Sequence, residues 1–569
     1  MFAFYSSCEE LNDIYLFINT YDLIIEEEGA KRLKLFNNLS NPYPIKRNAT
    51  YAKNGMVATS MPLASQAGLE ILKKGGNAVD AAIATAACLT VVEPTSNGIG
   101  GDAFAIVWFN NELHGLNASG RAPKSISIDA VKELGHEKMP RYGWLPVTVP
   151  GAPSAWGKLS EKFGKLPLTE VLEPAIRYAE EGFPVSPTLS RYWKRAYDTF
   201  KKELTDDMYA DWFTTFAPND RAPKAGEIWS SKAHAETLRS IAKTNGKSFY
   251  EGELAEKIVK FSKENGGFLR SEDLATHEAE WVEPINVNYR GYDVWEIPPN
   301  GQGIVALQAL NILKGFEFPE KECSDTYHKQ IEATKLAFAD ALEYVTERQQ
   351  MPCTSDDILD ETYAAKRRQL IGEEAMTATP GDLAKGGTVY LCTADRDGNM
   401  VSFIQSNYMG FGSGLVVPGT GITLQNRGHD FKLDPEHANA LAGGKKTYHT
   451  IIPGFLTKDN QAVGPFGVMG GYMQPQGHLQ VMMNTIDFEL NPQAALDAPR
   501  WQWMKDKTVH VEHRFQHHIA KELAQKGHDI KLELEPNTFG RGQIIWRHPQ
   551  TGVLIGGSES RTDGSIASW

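Results

Sequence analysis

The chain has 569 residues, 41% hydrophobic and 23% charged, with 58 basic against 71 acidic side chains and a formal net charge of -13. That length is ample for a large buried core, and the acidic balance excludes a general nucleic-acid binder, which needs a basic face for phosphates. No apolar run reaches the roughly 18 residues that a membrane span requires.

In chain order, the first 22 residues carry Glu9, Glu10, Asp13 and Asp22 but no Lys or Arg. A secretory leader has the opposite charge pattern, so residues 1–53 read as an extension of uncertain structure. Five cysteines, Cys8, Cys88, Cys323, Cys353 and Cys392, are odd in number and form no CxxC pair. They read as separate reduced thiols, which fits a cytoplasmic protein.

Residues 65–74 predict a helix with Ser65 as N-cap and Gly75-Gly76 as its end. Residues 77–91 predict a second helix, rich in alanine, apolar on most sides and therefore buried. Gly98-Ile99-Gly100-Gly101-Asp102 turns into a buried strand, 103–109. A dinucleotide-binding loop is excluded there, because its glycines follow a strand and open a helix. Asn110-Asn111 then turns the chain into a return strand, 113–117. Helical patterns follow at 169–181 and 232–244. Residues 282–296 read as strands around Arg290-Gly291, and 304–313, 327–347 and 356–372 read as helices.

The stretch after Gly386 organises the rest. Residues 388–394 and 400–406 read as a hairpin around Asp397-Gly398-Asn399. Pro380-Gly381 and Gly386-Gly387 mark an exposed loop before it, where a chain can be cut. Two readings are open on these residues. One is a plain hairpin that happens to begin with threonine. The other is a chain cut before Thr388, whose new α-amino group, with a reference pKa of about 7.7–8.0, acts as base for its own hydroxyl. Cys392, four residues on, reads as a packing residue.

Several further motifs stand in order along the chain from about Asn54. They are Gly75-Gly76-Asn77-Ala78-Val79-Asp80, Gly98-Ile99-Gly100-Gly101-Asp102, Val149-Pro150-Gly151-Ala152, Pro298-Pro299-Asn300-Gly301-Gln302-Gly303, Glu332-Ala333-Thr334-Lys335, Gly470-Gly471 and Ala498-Pro499-Arg500. Together with the Gly387-Thr388 stretch, this order resembles the γ-glutamyltransferase family of N-terminal-nucleophile hydrolases. The resemblance implies an α+β fold, a four-layer αββα sandwich. It implies a cut between Gly387 and Thr388 that leaves a large segment, 54–387, and a small one, 388–569. It assigns Thr388 as nucleophile and Gly470 and Gly471 as backbone donors to the oxyanion. Ser406 becomes a hydroxyl bonded to the nucleophile, or else a strand serine bonded to backbone. Asp430 becomes the partner of a substrate α-ammonium. No metal or cofactor is implied.

Four departures from the family pattern bear on the substrate. Ser119 stands where γ-glutamyl-specific members carry an arginine; Arg121 either reaches the same site by another path or is a surface arginine. Tyr408 replaces an asparagine that touches the substrate. Arg427 replaces a neutral amide, and an added cation favours an anionic group over an ammonium, unless it too lies at the surface. His449 and Thr450 replace two serines; both can donate hydrogen bonds, although a structural histidine is the alternative. The connection from Asp430 to Thr447 is short, leaving the cleft open. Three functions are expected on these grounds. The first is hydrolysis or transfer of the γ-glutamyl group of glutathione and related small amides through acyl-Thr388. The second is an acylase for glutaryl or cephalosporin-type amides. The third is a non-catalytic binding protein on the same scaffold. The partners expected are a small-molecule substrate and the two fragments of one precursor, with further oligomerisation left open.

Overall fold

The computed structural model describes Tyr43 and residues 47–377 and 387–569. Pro380, Gly381 and Gly386 of the expected cleavage loop, and nearly all of 1–53, lie outside the described residues. Thr50–Ala52 already pair with Leu554–Ser558, so the folded body begins before Asn54.

Strand Gly387–Asp395 runs antiparallel to Met400–Tyr408 on one side and to Gly55–Thr59 on the other. Val389 and Leu391 point to one core; Tyr390, Cys392 and Ala394 point to another. That alternation is the period-2 pattern of a strand buried on both faces. Around this hairpin one seven-stranded sheet is built in the order Ser565–Ser568, Gly55–Thr59, Gly387–Asp395, Met400–Tyr408, Asp102–Phe109, Glu112–Asn117, Glu280–Val282. A second runs Thr50–Ala52, Leu554–Ser558, Arg541–Arg547, Gln461–Met469, Gly454–Lys458, Tyr292–Glu296, Ile285–Tyr289.

The two sheets share a core of Phe104, Ile106, Tyr390, Cys392, Ile404, Phe455 and Ile545. Cys392 therefore packs between the sheets, in the packing role expected of it. Helices Pro62–Lys73, Ala78–Val92 and Ala152–Phe163 cover the outer face of the first sheet, and Gly303–Leu313 and Met473–Ile486 cover that of the second. The result is a four-layer αββα sandwich. Residues before and after Thr388 contribute strands to both sheets.

Several boundaries differ from the sequence reading. The first helix starts at Pro62 rather than Ser65; proline suits the first turn, where its missing N–H is not needed, and Ser65 Oγ donates to Pro62 O at 2.9 Å. The helix expected at 169–181 breaks into Leu168–Val171 and Glu173–Glu181, with Pro174 in the first turn of the second. The long helix is Ser324–Tyr344. The helix expected at 356–372 breaks into Ser355–Ile358 and Glu361–Arg368. Asn77 caps the second helix, Ala78–Val92, accepting from Val79 and Asp80 N–H.

Arg500 of the Ala-Pro-Arg motif belongs to a buried ion network. Its Nη2 donates to Glu559 Oε2 at 2.8 Å, and Arg561 bridges Glu559 and Glu512 at 2.6 Å each. Burial alone would raise the Glu559 pKa, but Arg500 and Arg561 hold it down to about 2. Removing one partner leaves buried charge uncompensated. Glu559→Gln is expected to cost about 3 kcal/mol, read as a lower urea midpoint. A depressed carboxylate stabilises the fold above its unfolded pKa. That share is therefore lost as pH falls from about 4.5 towards about 2, and the variant should show a flatter stability profile across that window.

Candidate active site

Thr388 lies at the start of its strand with its side chain buried. Its Oγ1 is 3.0 Å from Ser406 Oγ. Ser406 Oγ donates to the Gly387 carbonyl at 2.7 Å and accepts the Tyr408 N–H at 2.8 Å. The one proton of Ser406 is thus on Gly387 O, so Thr388 must be the donor in the pair. The hydroxyl and the carbonyl that precedes it are joined through a single serine. A register irregularity falls between Gly387 and Val389, which frees Thr388 from regular pairing. Gly387 must be glycine, since a Cβ there would come within 2.9 Å of Gly410 N.

Tyr408, opposite Gly387, has φ +74, a left-handed conformation uncommon for a bulky residue. It turns the phenol into a buried polar nest. Tyr408 OH donates to Asp430 Oδ1 at 2.6 Å, and Tyr472 OH reaches the same oxygen at 3.4 Å. The Arg427 guanidinium lies 3.9 Å from the Tyr408 ring centroid, as a cation–π pair. Its Nη1 donates to Thr450 Oγ1 at 2.7 Å and faces Asp430 Oδ2 at 3.5 Å. Its Nε and Nη2 are buried and have no hydrogen-bond partner among the described residues. Burial raises the Asp430 pKa, opposed by Arg427 and the Tyr408 hydroxyl. Arg427 is therefore no surface residue, and Asp430 is already engaged by three groups. Arg427 and Asp430 stand in the short 3-10 turn Arg427–Asp430.

Two expected substrate contacts are not brought to this nest. His449 Nε2 faces Asp102 Oδ2 at 3.0 Å, with its ring on Phe104. Burial pushes Asp102 up to about 7 and pushes His449 down, so the pair is a buried prop rather than a free donor. Arg121 is held by Glu347, by Gly444 O at 3.0 Å and by Glu280 at 3.4 Å. It lines a separate depression with Lys124 and Lys446, and its charge is matched there. Ser119 bonds Asn117 and Asn300 instead.

Gly470 and Gly471 have φ +140 and +62, which favours glycine at both. No hydrogen bond from either N–H to another described residue is formed. Gly470 and Gly387 line one cavity of about 530 Å³. Arg500 donates to Gly540 O at 3.1 Å, and Gly540 is the backbone against which Gly470 packs. Gln302, which carries no assignment in the sequence reading, bonds Thr450 O at 2.6 Å and Gly471 O at 2.9 Å. It fixes the nest to the glycine pair. Its place in Asn300-Gly301-Gln302-Gly303 was its only signal.

Among the described residues, one cluster has metal-ligating composition: His328, Glu332 and His528. His328 and Glu332 are satisfied within the protein, whereas His528 Nδ1 is buried without a hydrogen-bond partner among the described residues. His328 Nδ1 lies 2.8 Å from His528 Nε2, and Lys335 Nζ donates to Glu332 at 2.7 Å.

Residues 64–569 match the family described as Gamma-glutamyltranspeptidase. The chain belongs to the gamma-glutamyltranspeptidase family. It is 37% identical to the glutathione hydrolase-like YwrD proenzyme of Bacillus subtilis (strain 168), over 90% of this chain and 97% of that one. It is 32% identical to the oxamate amidohydrolase proenzyme of Klebsiella pneumoniae, over 92% and 100%. The crystal structure of a cephalosporin acylase from Bacillus halodurans superposes with a TM-score of 0.91 at 65% identity, covering 94% of this chain and 99% of that one. Membership of the gamma-glutamyltranspeptidase family makes the chain an enzyme of the hydrolase and acyltransferase type with the N-terminal-nucleophile fold. The names of its relatives carry both enzymatic readings.

Proposed function

We propose that the chain is a self-cleaving amidase that hydrolyses or transfers acyl groups ending in a carboxylate. In the precursor, Thr388 Oγ attacks the Gly387 carbonyl carbon while Ser406 donates to its oxygen. The C–N bond breaks towards the Thr388 nitrogen, leaving an ester that water hydrolyses. In the mature enzyme the freed α-amine takes the hydroxyl proton as Thr388 Oγ bonds the substrate carbonyl carbon. That proton passes to the departing nitrogen as the amide C–N bond breaks, and water or an amine then releases the acyl group. The Gly470 and Gly471 N–H groups receive the negative charge on the former carbonyl oxygen.

The observation that carries the acyl assignment is Arg427: a buried guanidinium whose Nε–Nη2 edge is unpaired among the described residues. A guanidinium edge matches a carboxylate in geometry and charge. An α-ammonium would meet the same cation and would have to displace Tyr408 from Asp430. The relatives named for acylase and oxamate hydrolysis support this reading. Asp430 favours a second reading, γ-glutamyl hydrolysis or transfer, as in the relative named for glutathione.

Turnover of glutaryl, γ-glutamyl and butyryl anilides separates them. The glutaryl anilide is expected to lead in kcat/KM by at least about tenfold, the worth of about 1.4 kcal/mol. A γ-glutamyl lead would overturn the acyl assignment and leave the Thr388 chemistry standing.

A further inference from the structure

We propose that strand Asp529–Glu533 is the seam of a reversible dimer of this protein, in which it pairs antiparallel with its own copy about a two-fold axis at Leu532.

The strand closes a three-stranded sheet in the order Trp501–Lys505, Thr508–Glu512, Asp529–Glu533, and runs parallel to the middle strand. Among the described residues no strand pairs with its outer side. Asp529 N–H donates to Lys507 O at 2.8 Å. In a parallel ladder the backbone groups of successive residues turn to alternate sides. Asp529, Lys531 and Glu533 therefore serve the ladder, while Ile530 and Leu532 aim N–H and C=O outwards. Neither of those two has a backbone hydrogen bond outside the ladder among the described residues.

Such an edge is a template for another strand, and proteins blunt it with charge, proline or bulges. Here the side chains add an apolar surface. Val509 and Val511 are buried and stand level with Ile530 and Leu532. Leu532 is nevertheless 55% exposed, and Leu534, just past the strand, 72%. The core face of the sheet thus runs beyond the cover of the protein and ends in open leucines.

The occupant that fits is written in the strand itself, Asp529-Ile530-Lys531-Leu532-Glu533-Leu534-Glu535. Outward backbone groups must meet outward ones, so even positions oppose even positions. With the axis at Leu532, Leu532 meets its copy and Ile530 meets Leu534 of the copy. Lys531 then meets Glu533 of the copy, and symmetry makes that ion pair twice. An axis at Lys531 or Glu533 would set that charge against itself. An axis at Leu534 opposes Glu533 to Glu535, and one at Ile530 opposes Leu532 to the buried His528. A single register therefore satisfies backbone, apolar side chains and charge together. Its cost is Asp529 against Glu535 at the two ends. Lys531 Nζ, 2.6 Å from Asp529, and Arg191, 3.4 Å from Glu535, ease it. Two short strands bury less than the roughly 1,200 Å² of a standard interface, which makes the dimer a reversible one.

Sedimentation equilibrium of the mature enzyme over about 1–200 µM reads the dissociation constant. The wild type is expected to move from the 63.0 kDa unit towards twice that mass. Leu532→Lys sets two cations face to face at the axis and should weaken dimerisation at least about tenfold. Lys531→Glu and Glu533→Lys should each weaken it by about three- to tenfold. The double variant restores the opposed pair and should recover the wild-type constant, which a folding defect would not allow. Amide turnover at nanomolar protein, where every variant is a single unit, should match the wild type. A wild type that keeps one mass across the range would overturn the proposal. So would a dimer that survives Leu532→Lys, or a double variant no tighter than the single ones.

Discussion

A Thr388→Ala chain is expected to stay whole, as one 63.0 kDa band on a denaturing gel, while the wild type resolves into two fragments. The alanine removes the hydroxyl that contacts Ser406 and adjoins the Gly387 carbonyl. Amidase activity should fall by at least about 10³-fold, because both the nucleophile and the α-amine base are lost. Thr388→Ser keeps the hydroxyl and should still cut. Ser406→Ala should cut slowly, since it removes a donor to the carbonyl oxygen, a contribution of roughly 10²–10³ in comparable sites. Mass spectrometry of the fragments decides the matter. A wild type whose small fragment does not begin Thr-Val-Tyr-Leu would sink the nucleophile assignment.

Arg427→Asn should reverse the order of acyl groups. Losing two charge-assisted hydrogen bonds to a carboxylate costs about 3 kcal/mol, or about a hundredfold in kcat/KM for the glutaryl anilide. Butyryl anilide, which offers nothing to the guanidinium, should change far less. The γ-glutamyl anilide, which carries the same carboxylate, should fall by much less, because the cation opposing its α-ammonium is gone as well and Asp430 becomes the dominant charge in the nest. Arg427→Lys keeps the charge but not the planar fork, and should fall between. Equal losses for all three anilides would mean that Arg427 only holds the nest together.

The sequence carried the hairpin, the buried alanine-rich helix and the glycine-opened strand, because each is written in local periodicity and turn residues. It also carried the neighbourhood of Thr388 and Ser406 and the turn at Gly470-Gly471, which lie on or beside regular elements. What it lacked was direction. Arg121 and Arg427 are both arginines near the expected site. Only tertiary packing turns one towards Glu347 and Glu280 and buries the other over Tyr408. His449 was equally ambiguous until Asp102, far away in sequence, came to face it. Gln302 left no local signal, since its bonds go to backbone carbonyls of two distant loops.

The strand that begins at Thr388 is flanked by Gly55–Thr59 and, through its hairpin partner, by Asp102–Phe109. Severing the chain there breaks one covalent link and none of those ladders. The nicked protein should therefore be as hard to unfold as the intact one. The return journey differs: after denaturation two separate polypeptides must meet by diffusion before either sheet can form. Renaturation of mature enzyme should thus become second order and fail on dilution, while the uncut Thr388→Ala chain refolds at a rate independent of concentration.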